Sequence, residues 1–133
     1  MKLLIVDDNE DGAEMLGMLL SGMGFETMVA HEGKSALEAF ERWGPDAVLL
    51  DIEMPGMSGT SVARAIRAMQ STVMLIAISG WYYLGEAEMK AAGFDNWFTK
   101  PADIERLVRC LRPEVQMPSL PAFNGFRREP EQG

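Results

Sequence analysis

Residues 47–51 read Ala-Val-Leu-Leu-Asp, a short apolar run that ends in a carboxylate. Three further runs lie at residues 2–6, 73–78 and 94–98, and three of the four runs contain no charge in their interior. Runs of this kind, rich in β-branched or aromatic side chains, are typical of strands buried on both faces in a parallel sheet. The alternating run at residues 25–30 predicts a fifth strand nearer the sheet edge.

Helical periodicity follows each of these runs, over residues 11–23, 34–43, 58–69, 84–92 and 103–111. In the first segment five apolar side chains recur at helical spacing, and we expect them in the core: Met15, Leu16, Leu19, Leu20 and Met23. Parallel strands need crossovers of about a dozen residues or more, and the crossovers are nearly always right-handed. A β-α unit repeated five times therefore predicts an α/β fold, a five-stranded parallel sheet doubly wound by its helices.

The composition excludes several classes of protein. A length of 133 residues fits one domain, and the single cysteine, Cys110, rules out an intrachain disulfide or a multi-cysteine zinc site. The chain carries a net charge of −8. Because phosphate contacts need clustered Lys and Arg, we expect no direct binding of nucleic acid. The apolar runs are too short for a signal peptide or a membrane span, which predicts a cytoplasmic protein without membrane insertion.

The pattern changes at Pro113. Four of the seven prolines fall within residues 113–133, and no helical periodicity continues there. We expect one domain over residues 1–112 and a flexible, Pro-rich tail over residues 113–133.

Polar residues lie just past the ends of four predicted strands: Asp7 and Asp8, Asp51, Ser79, and Lys100. Carboxyl ends of parallel strands meet at one edge of the sheet, so these side chains should converge there. Three close carboxylates repel one another unless a cation lies between them, and oxygen ligands with phosphate chemistry favour Mg²⁺. A carboxylate nucleophile, a metal, a lysine and a hydroxyl together predict a phosphoryl-transfer site.

Four segments carry a family resemblance, at residues 3–9, 48–59, 77–80 and 98–101. The second contains the run Asp-Ile-Glu-Met-Pro-Gly-Met-Ser-Gly, which begins at Asp51. Over residues 2–112 the sequence resembles a two-component response-regulator receiver domain of the single-domain, chemotaxis-regulator-like kind. The resemblance implies a flavodoxin-like receiver fold.

The resemblance also implies roles for the acidic residues. Asp51 would accept a phosphoryl group from a phosphohistidine on a sensor histidine kinase or a histidine phosphotransfer protein. Asp8 would bind Mg²⁺ directly and Asp7 partly through water, with the backbone carbonyl of Glu53 as a further protein ligand. The chain would then catalyse its own phosphorylation and dephosphorylation, without turnover of a separate substrate.

The remaining implied roles concern the switch. Ser79 would hydrogen-bond the phosphoryl group, and Lys100 would pair with one of its oxygens. Trp97 stands where the family usually has Tyr or Phe as a mobile ring. Its movement would change the face formed by the fourth helix, fifth strand and fifth helix, which we expect to bind an output protein or a second copy. Lys100 precedes Pro101, where the family tends to have a cis peptide bond.

Two alternatives stay open at this point, and a third is disfavoured by the motif spacing. The chain could be a receiver taken from a hybrid histidine kinase or a larger regulator, or a receiver that binds partners without phosphorylation. A phosphatase of the haloacid dehalogenase type requires Asp-x-Asp after the first strand, whereas Asp7 and Asp8 are adjacent. Because no output domain fits after residue 112, we expect output through protein contacts. His31, the only histidine, is expected to be an ordinary loop residue near the site.

Overall fold

The computed structural model describes residues 1–70, 72–80 and 85–112, so the tail predicted at residues 113–133 lies outside it. Residues 1–102 form one unit, and the described residues 103–112 belong to a second. Five strands belong to the first unit: β1 (Lys2–Val6), β2 (Glu26–Ala30), β3 (Ala47–Leu50), β4 (Met74–Ser79) and β5 (Asn96–Thr99). Its helices are α1 (Glu10–Gly22), α2 (Gly33–Trp43), α3 (Gly59–Met69) and α4 (Glu86–Ala92). The described part of the second unit contains α5 (Ile104–Leu111).

The five strands form one parallel sheet in the order β2-β1-β3-β4-β5, which confirms the predicted fold class. The strand order reverses at β1, because β1 pairs with β2 on one side and with β3 on the other. Register aligns Val6 of β1 with Leu50 of β3. The next residues, Asp7 and Asp51, therefore leave the sheet side by side at the reversal point, where open α/β sheets bind their ligands.

Helices cover both faces of this sheet. On one face α1 approaches so closely that a Cβ at Gly17 would lie 3.6 Å from Cδ1 of Ile5 and 3.4 Å from Cγ2 of Val29. The opposite face contributes Leu4, Val48 and other alternate residues to a continuous apolar core with α2, α3 and α4. Within the described ranges, no helix is long and apolar enough to cross a membrane.

The buried face of α1 differs from the predicted one. Ala13, Gly17 and Leu20 are the helix's buried residues, whereas Met15 and Leu19 are 64% and 49% exposed. Leu20 alone was correctly expected to be fully buried. The expected face was wrong because small residues let the helix lie closer to the sheet than large ones do, and close packing favours that approach.

Three strands begin later than predicted, and β2 covers Glu26–Ala30 rather than residues 25–30. β4 covers Met74–Ser79 rather than residues 73–78, and β5 covers Asn96–Thr99 rather than residues 94–98. The N–H of Phe94 donates to the carbonyl of Met89 in α4, so Phe94 belongs to the helix end rather than to β5. The α4 helix starts at Glu86, whereas residue 84 of the predicted helix lies outside the described residues.

Arg67 joins the end of α3 to the segments that precede β4 and β5. Its guanidinium donates to the carbonyl of Gly93 from Nε (2.9 Å) and Nη2 (2.8 Å), and to the carbonyl of Val73 from Nη1. Nη2 also lies 2.8 Å from Oδ2 of Asp95, and that carboxylate oxygen accepts from the N–H of Leu75 at 2.9 Å. One side chain thereby satisfies polar backbone atoms from two loops.

Replacing Arg67 by alanine is expected to lower the free energy of unfolding by about 2 kcal/mol, because partly buried carbonyls lose a charged donor. Chemical denaturation measures the effect. Arg64, exposed on the same helix, gives the control. The Arg64→Ala variant should stay within about 0.5 kcal/mol of wild type, and equal losses in the two variants would contradict the assignment.

Candidate functional site

Three carboxylates meet at the carboxyl end of the sheet, where the strand order reverses. Asp7 and Asp8 follow β1, and Asp51 follows β3. One oxygen from each of the three side chains can be chosen so that all lie within 4.8 Å of one another. The structure thus brings together the three acidic residues that the sequence predicted, because parallel register ends β1 and β3 at the same level.

An ammonium group lies against two of these carboxylates. Nζ of Lys100 donates to Oδ2 of Asp7 at 2.6 Å and lies 3.5 Å from Oδ2 of Asp51. Lys100 is placed there by the end of β5, where its N–H donates to the carbonyl of Ser79 at 2.7 Å. The peptide bond to Pro101 is cis. The ammonium therefore partly neutralises the acidic cluster.

Backbone donors fix the second oxygen of the same two carboxylates. Oδ1 of Asp7 accepts from the N–H of Asn9 at 3.0 Å, and Oδ1 of Asp51 accepts from the N–H of Glu53 at 3.2 Å. Asn9 is also the N-cap of α1, because its Oδ1 accepts from the N–H of Gly12 at 3.0 Å. No cap was predicted at Asn9, although Asn before a helical pattern is a recognised signal.

Burial and charge shift the ionisation of two groups. Asp51 is only 5% exposed. Burial, followed by the negative charge of Asp7, raises the pKa of Asp51 to about 6, against the opposing effect of Lys100. Burial by itself would lower the pKa of Lys100, but its hydrogen bond to Asp7 and the charges of both carboxylates outweigh burial and raise it. At neutral pH an ionised Asp51 carboxylate therefore lies beside the charged ammonium of Lys100.

The donor set fits a hard divalent cation. All three acidic side chains offer carboxylate oxygens, and their separation suits a shared ion. Asp51 is buried and Asp7 nearly so, whereas Asp8 is exposed. The cluster is therefore open to solvent on the Asp8 side, which gives an ion a route to it.

The structure places two further predicted residues near this edge without assigning them a role. Ser79 is fully buried at the carboxyl end of β4, in register with Thr99 of β5. Trp97 lies in β5 opposite Ala77 and is half-buried, packed against the apolar core. The Trp97 indole is therefore partly buried against the core, although it is larger than the Tyr or Phe ring that the resemblance would place there.

His31 was expected to be an ordinary loop residue, but it contacts the site. Its Nδ1 lies 3.1 Å from the backbone carbonyl oxygen of Asp7, and its Nε2 lies 3.8 Å from Oε2 of Glu14. No signal in the sequence marks this contact, because it depends on where β2 ends relative to β1.

Comparison of the sequence with known proteins identifies a matching family. The sequence profile described as "Response regulator receiver domain" matches residues 3–112. "Sensory transduction protein RegX3" of Mycolicibacterium smegmatis is 39% identical over 110 residues, which cover 83% of this chain and 48% of that protein. The chain therefore spans about half the length of the curated relatives it matches.

Solved structures agree with this comparison. A "response regulator receiver domain (CheY-like)" of Methylobacillus flagellatus is 34% identical, with a TM-score of 0.76 over 85% of this chain and 97% of that one. "Response regulator protein TrrA" of Thermotoga maritima, solved "in complex with Mg(2+)-BeF", is 30% identical. Its TM-score is 0.77 over 84% of this chain and 96% of that one.

Proposed function

The chain belongs to the response regulator receiver domain family of two-component signal transduction, and on this premise we propose that Asp51 is its phosphoacceptor. The phosphoryl donor is a phosphohistidine on a sensor histidine kinase or a histidine phosphotransfer protein. The observation that carries the proposal is the contact of Lys100 Nζ with the carboxylates of Asp7 and Asp51 at the reversal point of the sheet.

The transfer step forms one bond and breaks one. An oxygen of the Asp51 carboxylate attacks phosphorus, the phosphorus–nitrogen bond of the phosphohistidine breaks, and the imidazole leaves with the bonding electron pair. Glu53 N–H orients the carboxylate from the side of Oδ1. Lys100 and Ser79 are proposed to bind the transferred phosphoryl oxygens, the first by charge and the second by its hydroxyl.

Asp7, Asp8 and Asp51, with the backbone carbonyl of Glu53, are the proposed ligands of Mg²⁺. When bound, Mg²⁺ would neutralise the carboxylates and the oxygens of the incoming phosphoryl group. The side chains of Asp7 and Asp51 are already held by donors, so they need little rearrangement to bind the ion. The complex of TrrA with Mg²⁺ and a beryllium fluoride group supports this assignment by analogy.

Output is proposed to depend on Trp97. Phosphorylation would draw Ser79 toward the new phosphoryl group and change the packing of the indole on the apolar core. Ser79 and Trp97 would then act as a two-state element whose equilibrium is shifted by a local charge. The surface of α4 and β5 would then bind an output protein or a second copy of the chain.

A cytoplasmic location of the protein stays a prediction from the composition.

Intact mass spectrometry after incubation with acetyl phosphate tests the proposal. Wild type should gain one phosphoryl group, only with Mg²⁺ present, and Asp51→Ala should gain none. Asp46 precedes β3 at the opposite end of the strand, and an Asp46→Ala variant should be phosphorylated like wild type.

Failure has two distinguishable forms. If wild type binds Mg²⁺ and also binds beryllium fluoride, but shows no phosphoryl adduct, the phosphoryl group is lost faster than it is detected. If wild type binds neither beryllium fluoride nor phosphoryl groups, the chain acts as a receiver that binds partners without phosphorylation.

A further inference from the structure

An imidazole continues the hydrogen-bond ladder between β1 and β2 beyond the end of β2. The backbone contributes the bond from the N–H of Asp7 to the carbonyl of Ala30, at 3.1 Å. At the next position Nδ1 of His31 lies 3.1 Å from the carbonyl oxygen of Asp7. A carbonyl oxygen can only accept, so the ring nitrogen must donate. The His31 side chain thus supplies a donor where a backbone N–H would stand in a continuing parallel ladder.

We propose that His31 is a positioning residue that holds the peptide group between Asp7 and Asp8 and so preorganises the cation site. This inference rests on the proposed function, because it assigns to those two residues the binding of Mg²⁺. His31 itself does not touch the ion or the phosphoryl group in this assignment.

The geometry explains why this one contact matters. The carbonyl of Asp7 belongs to the peptide group that leads into Asp8, so its orientation sets the direction in which the Asp8 side chain begins. Every other polar group of Asp7 has a described partner: its N–H donates to Ala30, and its carboxylate accepts from Asn9 and Lys100. Without the imidazole, a nearly buried carbonyl would lose its donor and the peptide group would be free to rotate.

The second ring nitrogen faces α1. Nε2 of His31 lies 3.8 Å from Oε2 of Glu14, one turn into the helix that begins just after Asp8. This contact is attractive only when Nε2 also carries a proton, because an unprotonated Nε2 and a carboxylate oxygen are both acceptors. The positioning role therefore rests on Nδ1, which joins the end of β2 to the peptide group after β1. Partners behind metal-binding carboxylates are known to change metal affinity by about 10–100-fold when they are removed.

Mg²⁺ affinity measured by calorimetry separates the effects of two substitutions. His31→Ala should weaken binding about tenfold, whereas His31→Asn should bind nearly as tightly as wild type, because its amide N–H can occupy the place of Nδ1. Both variants remove the imidazole, so comparing them cancels any effect of ring charge. At saturating Mg²⁺, the phosphorylation rate with acetyl phosphate should be the same in all three proteins.

A spectroscopic measurement needs neither substitution nor metal. The chain has one histidine, so its ring ¹⁵N signals belong to His31 without further assignment. In the neutral ring the proton should be on Nδ1, since the hydrogen bond selects the tautomer. A neutral ring protonated on Nε2 would overturn the proposal, whichever of the variants folds.

The remaining outcomes are also decisive. Equal Mg²⁺ affinity in wild type and a folded His31→Ala variant would overturn the positioning role while leaving the proposed function intact. Equal weakening in His31→Ala and His31→Asn would also overturn it, because the amide should replace the donor. Absence of Mg²⁺ binding in wild type would overturn the proposed function itself, and the positioning role with it.

Discussion

Replacing Gly59 by alanine is expected to lower the free energy of unfolding by about 3 kcal/mol and to slow phosphorylation of Asp51. Gly59 is the first residue of α3, and its N–H donates to the carbonyl of Ile52 at 2.9 Å. A Cβ at this position would overlap the carbonyl oxygen of Asp51 and lie only 2.7 Å from Cα of Ile52. These neighbours are backbone atoms, so relief requires the segment after β3 to move.

The consequence for function follows from that movement. The carboxylate of Asp51 is positioned by the N–H of Glu53, two residues further along the same segment. Displacing the segment should disturb this hydrogen bond and the alignment of Asp51 with Lys100. Phosphorylation at saturating Mg²⁺ should therefore be slower even under conditions in which the variant is fully folded.

Gly22→Ala provides the matched control. Gly22 is the last residue of α1, and a Cβ there would have no neighbour within 4 Å. Alanine has the higher helix propensity, so this variant should be as stable as wild type or more stable by up to about 1 kcal/mol. A Gly59→Ala variant that unfolds at the same denaturant concentration as Gly22→Ala would contradict the packing argument.

Replacing Asp51 by asparagine is expected to stabilise the Mg²⁺-free protein at neutral pH by on the order of 2 kcal/mol. Burial and the charge of Asp7 raise the pKa of Asp51 to about 6, so the folded state holds this proton more tightly than the unfolded chain does. The stabilisation that the proton gives is fully present below about pH 4 and is lost as the pH rises through 6. Asparagine stays neutral and avoids the cost of a buried charge.

Denaturation curves at pH 4 and pH 7.5, in a chelating buffer, measure this difference. The variant and wild type should be nearly equal at pH 4 and should separate by pH 7.5. Mg²⁺ should then raise the melting temperature of wild type more than that of Asp51→Asn, because binding to the folded state alone stabilises it. Asp11→Asn, exposed in the first turn of α1, should differ from wild type by no more than about 0.5 kcal/mol. An Asp51→Asn variant less stable than wild type at pH 7.5 would contradict the prediction.

The strands were largely predictable because burial on both faces leaves a mark in local composition. The run at residues 47–50 is apolar throughout, and β3 covers it without a shift. Strand β5 was placed two residues too early because Phe94 is buried without being in the strand. Apolar character reports burial, whereas strand boundaries depend on where the preceding helix releases the backbone.

The carboxylates of the candidate site were predictable for a related reason. Asp7, Asp8 and Asp51 each follow an apolar run, and topology alone brings the ends of neighbouring parallel strands together. The contacts of His31 and Arg67 were not predictable, because both side chains donate to backbone carbonyls that only the tertiary structure places beside them. Every residue has a backbone carbonyl, so the residue that accepts such a hydrogen bond cannot be recognised from its type.

Local hydrophobicity and residue type were enough to predict the number of strands, their succession along the chain, and the acidic, hydroxyl and lysine residues that follow them. Which face of α1 is buried depends instead on tertiary packing, which places Gly17 against Ile5 and Val29 while Met15 and Met18 face solvent. Tertiary packing also decided that an imidazole would support the peptide group of Asp7. Both outcomes depend on how closely two elements approach, which is set by packing between distant segments rather than by any local pattern.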